Sequence, residues 1–139
     1  MSVITSYIQL STHGNADIHE ITDQISQAVV KAGLKNGVVT IFCPSSTSAV
    51  TTIEYEPGVV NDLRRLFEEL IPANIPYQHD EAWHDGNGHS HVRAAVLGPS
   101  LTVPFVSQHL TLGTWQQVIY IDFDNRPRKR ELVLQIIGE

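Results

Sequence analysis

Apolar positions along this chain change period several times, and each change marks an element. Ile4, Ile8 and Leu10 fall at even spacings among polar residues, which predicts a strand over 3–10. After a polar turn, Ile18, Ile21, Ile25, Val29 and Ala32 recur every three or four residues. That period predicts an amphipathic helix, with Asp17 as its N-cap and Glu20 completing a capping box. Gly33 and Gly37 bracket its end, where a left-handed turn favours glycine. Residues 38–43 are nearly all apolar, as in a buried strand, and Pro44 stops the run. A hydroxyl-rich turn, Ser45 to Ser48, then leads to a further strand over 49–55.

Pro57 opens a second helix whose stripe is Val59, Val60, Leu63, Leu66, Phe67, Leu70 and Ile71, opposite Asp62, Arg64, Arg65, Glu68 and Glu69. Pro72 and Pro76 end it. The apolar run at 91–97 reads as a strand. So do 101–106, with Pro104 marking an edge or bulge, and then 118–123 and 131–137. Two helices in the first half and strand after strand in the second predict a single α+β domain over 1–139, mostly antiparallel sheet with two main helices.

The chemistry concentrates between the second helix and the run at 91–97. Residues 77–91 gather four of the seven histidines with three carboxylates. Imidazole titrates near neutral pH and is a common ligand of divalent metals, so such a segment suits proton transfer or a bound ion such as zinc or magnesium. If extended backbone begins at His89, then His89 and His91 project from one face, and His79 or His84 can supply a third ligand. Asp85 can serve as ligand, orienting partner or general base. With Gly86 and Gly88 the same stretch also reads as an ordinary exposed loop.

Other candidates are more dispersed. The turn holding Thr47 can present hydroxyls and amides to a phosphate, or simply satisfy its own backbone. Glu54 can act as a base or stand solvated. Trp115 offers a flat apolar face, in a binding wall or in the core. Arg128 and its cationic neighbours can engage phosphate, although exposed turn charges are the default. Cys43, in an expected buried strand, suits neither nucleophilic catalysis nor, being alone, an intrachain disulfide; a reducing cytoplasm is the simplest compartment. A net charge of −6 disfavours nucleic acid and anionic membrane, and no apolar run approaches a membrane span.

The segment His89-Ser90-His91-Val92-Arg93-Ala94-Ala95-Val96-Leu97-Gly98-Pro99-Ser100, with Leu112-Gly113-Thr114-Trp115-Gln116-Gln117 and Arg126-Pro127-Arg128 downstream, resembles the YjbQ-like family over nearly the whole chain. The resemblance implies an α+β sandwich or pseudobarrel assembled as a homotrimer, a site near subunit contacts, and a metal in some members. It also implies activity of the secondary thiamine-phosphate synthase type, joining a pyrimidine pyrophosphate to a thiazole phosphate. Carried over by position, the family's suspected functional residues fall on Asp85 and His91, on Tyr77 and His79, on Glu54, and on Trp115 and Gln116. Many members of the family it resembles have a histidine where this chain has Ser46, and a glycine where it has Gln108.

Three readings follow. In the first, a synthase uses Asp85, His91 and Glu54 with a divalent metal, and Thr47, Arg93, Trp115, Gln116 and Arg128 on the substrate. The second is a hydrolase of a small phosphorylated substrate with a metal on His79, His89 and His91. A trimeric binding protein holding a structural ion is the third.

Overall fold

In the computed structural model, which describes residues 1–139, eight strands and four helices form two antiparallel sheets with helices outside them. The first sheet contains β1 (Ser2–Thr12), β8 (Arg128–Gly138), β3 (Gly37–Phe42), β5 (Ser100–Val106) and the short β6 (His109–Leu110), in that order. The second places β7 (Gln117–Asp122) between β2 (Asp17–Glu20) and β4 (Ser48–Ile53). The helices are α1 (Thr22–Ala32), α2 (Pro57–Leu70), α3 (Gln78–Trp83) and α4 (Gly88–Leu97).

The small sheet is buried on both faces, which explains why β7 reads as one continuous apolar run. Val118 and Tyr120 face the core shared with the large sheet and α1, where they meet Ile25, Val29, Ile41 and Leu134. Ile119 and Ile121 face the opposite way, against Phe67 of α2 and Ala94 of α4. The large sheet, by contrast, is covered on one face only, so β1 and β8 alternate between buried and exposed. In these strands the period follows the packing; β3 departs from it and from the buried strand expected over 38–43, since its nearly continuous apolar run lies in the large sheet, burying Val39 and Ile41 while Phe42 stays exposed.

Three expectations are corrected. The run at 91–97 is the body of α4, not a strand. A short apolar run does not distinguish the two, and here burial of Ala94 and Leu97 beside Ile121 and Phe123, in a segment rich in good helix formers, selects the helix. The first helix starts at Thr22, not Asp17. Residues 17–20 pair with β7 instead, Ile18 opposite Ile121, and Asp17 spends its carboxylate on the His13 amide and the His19 ring. Finally, four helices form where two main ones were expected, because α3 and α4 both arise from the histidine segment. Elsewhere the expected cues hold: Gly33 caps α1 in the left-handed conformation and Glu56 caps α2 just before Pro57. Pro104 lies in β5, whose outer neighbour β6 pairs only with Phe105 and Val106.

Candidate functional site

The ends of four strands and the beginnings of two helices converge on one cleft of about 450 Å³. Its floor is a buried charge network. Asp122 and Asp124, two apart at the end of β7, are both almost fully buried. Arg128 and Arg130, two apart at the start of β8, face them. Arg130 donates from Nε and Nη2 to the Asp122 carboxylate at 2.8 and 3.0 Å, and Arg128 donates from Nε to Asp124 at 2.9 Å. Two buried carboxylates with two guanidiniums leave no uncompensated charge, the condition for burying them at all.

The same guanidinium fixes the hydroxyl-rich turn. Arg130 Nη1 donates to Ser45 Oγ at 3.0 Å and Nη2 to Thr47 Oγ1 at 2.9 Å, while Thr47 donates onward to Asp124 at 3.3 Å. Ser46 stands exposed on the same turn and also lines the cleft.

The other wall is histidine. The rings of His79 on α3 and His91 on α4 lie 4.3 Å apart between centroids. His79 Nε2 is 3.3 Å from Asp85 Oδ1 and 3.1 Å from Asn87 Oδ1. Asn87 in turn donates from Nδ2 to Asp124 at 3.2 Å. A carboxylate only accepts, so the Asn87 amide nitrogen must face Asp124 and its oxygen must face His79. The proton of neutral His79 therefore sits on Nε2. Burial alone would raise the Asp124 carboxyl, but the Asn125 amide, the Asn87 amide and Arg128 outweigh it and hold the group below the usual carboxylate range. Burial, and then the neighbouring His79, push His91 below the ordinary imidazole value, so His91 is neutral at pH 7.

Glycine makes this junction possible. A Cβ at Gly88 would collide with the side chain of Tyr77, and the Gly88 amide donates to Asp80 at 2.9 Å, which binds the start of α4 to α3. Gly86 holds φ +67° in the turn between them.

A scan of family models matches residues 6–139 to the family described as UPF0047 protein YjbQ-like. The chain belongs to this family. A UPF0047 protein of Methanothermobacter thermautotrophicus is 32% identical over 139 residues, covering 100% of this chain and 95% of that protein. One from Archaeoglobus fulgidus is 34% identical over 130 residues, covering 94% of this chain and 98% of its own. Among solved structures, a YbjQ-like protein of unknown function from Sulfolobus solfataricus superposes with TM-score 0.93 at 32% identity, covering 99% of each chain. The UPF0047 relatives thus share the whole domain and give no activity to carry across.

Against this geometry the expected site residues divide. His79, His91, Asp85, Thr47 and Arg128 come together on the cleft. His89 does not join them. Two positions along a helix point roughly opposite ways, so His89 turns inward toward Tyr77 and is buried with Nδ1 unpartnered. The expected metal set His79, His89 and His91 therefore does not converge, and no three His, Cys, Asp or Glu side chains stand as a metal-holding group. Arg93 is also turned from the cleft: it is buried, donating from Nε to the Ile71 carbonyl and from Nη2 to Glu68, both at 2.9 Å.

Glu54, Trp115 and Gln116 lie at the other end of the small sheet, separated from Asp122 by the length of β7, about 17 Å at the usual strand rise. Trp115 is 73% exposed, so it is not a core residue. Gln116 braces the end of β4 through Thr52. Asp122, Asp124 and Asn87 were not anticipated as site residues. The available signal was Asp-x-Asp closing one apolar strand and Arg-x-Arg opening the next, which puts like residues on one face of each.

Proposed function

We propose that the cleft binds the phosphate of a small phosphorylated molecule and that His91 and the His79–Asp85 pair act on it. One observation carries this reading: Arg130 holds the hydroxyls of Ser45 and Thr47 in the cleft wall, beside Arg128, whose Nη1 has no protein partner. The Ser45 hydroxyl, a spare guanidinium N–H and imidazole on one small cleft suit the spread negative charge of a phosphoryl group, while Thr47, whose only O–H goes to Asp124, holds the turn in place. The arginine charge is largely matched by Asp122 and Asp124, so the fit rests on hydrogen bonding more than on net charge.

The reaction to test first is the one the family resemblance implies, attack of a thiazole nitrogen on a pyrimidine methylene carbon. The carbon–oxygen bond breaks and pyrophosphate leaves with its electron pair. Arg128 and the Ser45 hydroxyl would donate hydrogen bonds to that departing charge. A second reading, hydrolysis, is favoured by the neutral state of His91, which can take a proton from an attacking water. The His79, His89 and His91 set does not fit a metal, so neither reading routes a step through one. Assembly as a homotrimer is the arrangement under which Glu54, Trp115 and Gln116 of one copy can reach the cleft of another.

Calorimetric titration with inorganic phosphate and pyrophosphate, followed by product analysis with the pyrimidine pyrophosphate and thiazole phosphate pair, tests the proposal. Saturable phosphate binding that weakens in Arg128→Ala is expected. Thiamine phosphate absent from wild type would remove the synthase reading, and binding with no turnover of any phosphate ester would leave a binding protein.

A further inference from the structure

Beyond the phosphate cleft a second lobe opens along α4, of about 280 Å³, and it shares Ser45, Ser46 and His91 with the first. The two lobes differ in charge. Asp85, Asp124, Arg128 and Arg130 line the first; no Asp, Glu, Lys or Arg lines the second, whose remaining walls are Ser48, Ala94, Ala95 and Pro99. His91 stands where they meet.

We infer that the ligand is a phosphate monoester with an uncharged, largely apolar organic part, which lies along α4 over Ala94 and Ala95 while the phosphate occupies the arginine lobe. This inference rests on the phosphate reading and extends it to the rest of the molecule. The small side chains of Ala94 and Ala95 keep the trough open, and a charged tail would leave water there for a wall with no opposite charge to meet it. Apolar area removed from water supplies affinity without direction, so the lobe selects by polarity and size. His91, between the lobes, is then next to the bond joining phosphate to tail. Nearby, Val92 and Val96 on α4 are also exposed, and they continue the apolar stripe that Ala95 and Pro99 begin.

Titration of the full chain with three probes separates the possibilities: inorganic phosphate, n-butyl phosphate, and O-phosphorylethanolamine, whose short tail ends in a cation. Butyl phosphate should bind about tenfold more tightly than inorganic phosphate, roughly the gain from burying two methylenes. Phosphorylethanolamine should gain nothing. Ala95→Phe fills the trough and should bring the butyl-to-phosphate ratio to about one, while Ala95→Asp should invert the preference between the two tails. Ala95 is exposed, so both variants should fold, which thermal melting verifies. Equal affinity for phosphate and butyl phosphate in the wild type overturns the inference and leaves the phosphate reading standing. So does a wild-type preference that survives Ala95→Phe, or a change of molecular mass in that variant with ligand preference intact, since the stripe would then be a subunit contact. If none of the three probes binds, the inference falls together with the reading beneath it.

Discussion

The two ends of the small sheet carry similar residue types and have opposite fates. At one end Asp122, Asp124, Thr47 and Asn87 are buried and bonded to one another and to Arg128 and Arg130. At the other, Glu54, Trp115 and Gln116 stand exposed. The difference shows what organises a polar site in a single chain. Charged groups that leave water must find partners, and the partner network then holds every hydroxyl and ring it touches in one orientation. Groups that stay in water have no such constraint, and in a single chain nothing orients them toward the cleft.

The contrast can be broken most directly at Arg130. Arg130→Ala leaves the Asp122 carboxylate buried without its guanidinium, and urea unfolding should show a loss of about 3–5 kcal/mol. Arg128→Ala also takes a guanidinium from buried Asp124, but Asn87, Thr47 and the Asn125 amide still donate to that carboxylate, so the stability loss should be smaller than at Arg130. Phosphate affinity, read by calorimetry on the folded variant, should fall about tenfold, the worth of one charge-assisted hydrogen bond.

A smaller and pH-dependent effect is expected at His89. Burial, and then Arg93, hold its imidazole below the ordinary value, so the unfolded chain binds this proton more readily than the folded one. Its stability contribution is fully present above the unfolded value, about pH 6.5, and is lost as pH falls through the lower folded value. His91 titrates in the same direction. Melting temperature should therefore drop on acidification from pH 7, less steeply in His89→Gln; an unchanged slope would place the proton uptake elsewhere.

The smallest effect belongs to the far end. Trp115→Ala should change stability by no more than about 0.5 kcal/mol, as befits an exposed side chain away from the buried network. If sedimentation shows that it also changes the molecular mass, the exposed end is where copies meet.

Much of this was legible in the chain itself. The stripe of α2, the continuous run of β7, Pro57 and Gly33 each announce an element, because each is a local consequence of backbone geometry and of which faces are dry. The histidine segment could be picked out too, since His79, Asp85 and His91 are close in sequence. What could not be read locally was the conformation of 88–97, where the same apolar run serves strand or helix and only packing against Phe123 and Ile121 decides. That one choice reassigns His89 from the site to the interior.

Composition and periodicity by themselves determined that this is a mixed chain with an antiparallel sheet, a core rich in Ile and Val, and a polar segment fit for proton chemistry. The tertiary structure alone decided which polar residues meet. Asp122 and Arg130 lie eight residues apart on different strands, and Thr47 and Asn87 reach the neighbouring Asp124 carboxylate from distant loops. Asp-x-Asp and Arg-x-Arg on successive strands hint at the first meeting, but no local pattern encodes the arrival of Thr47 and Asn87, because burying a charge is costly until the whole fold has brought its partners to it.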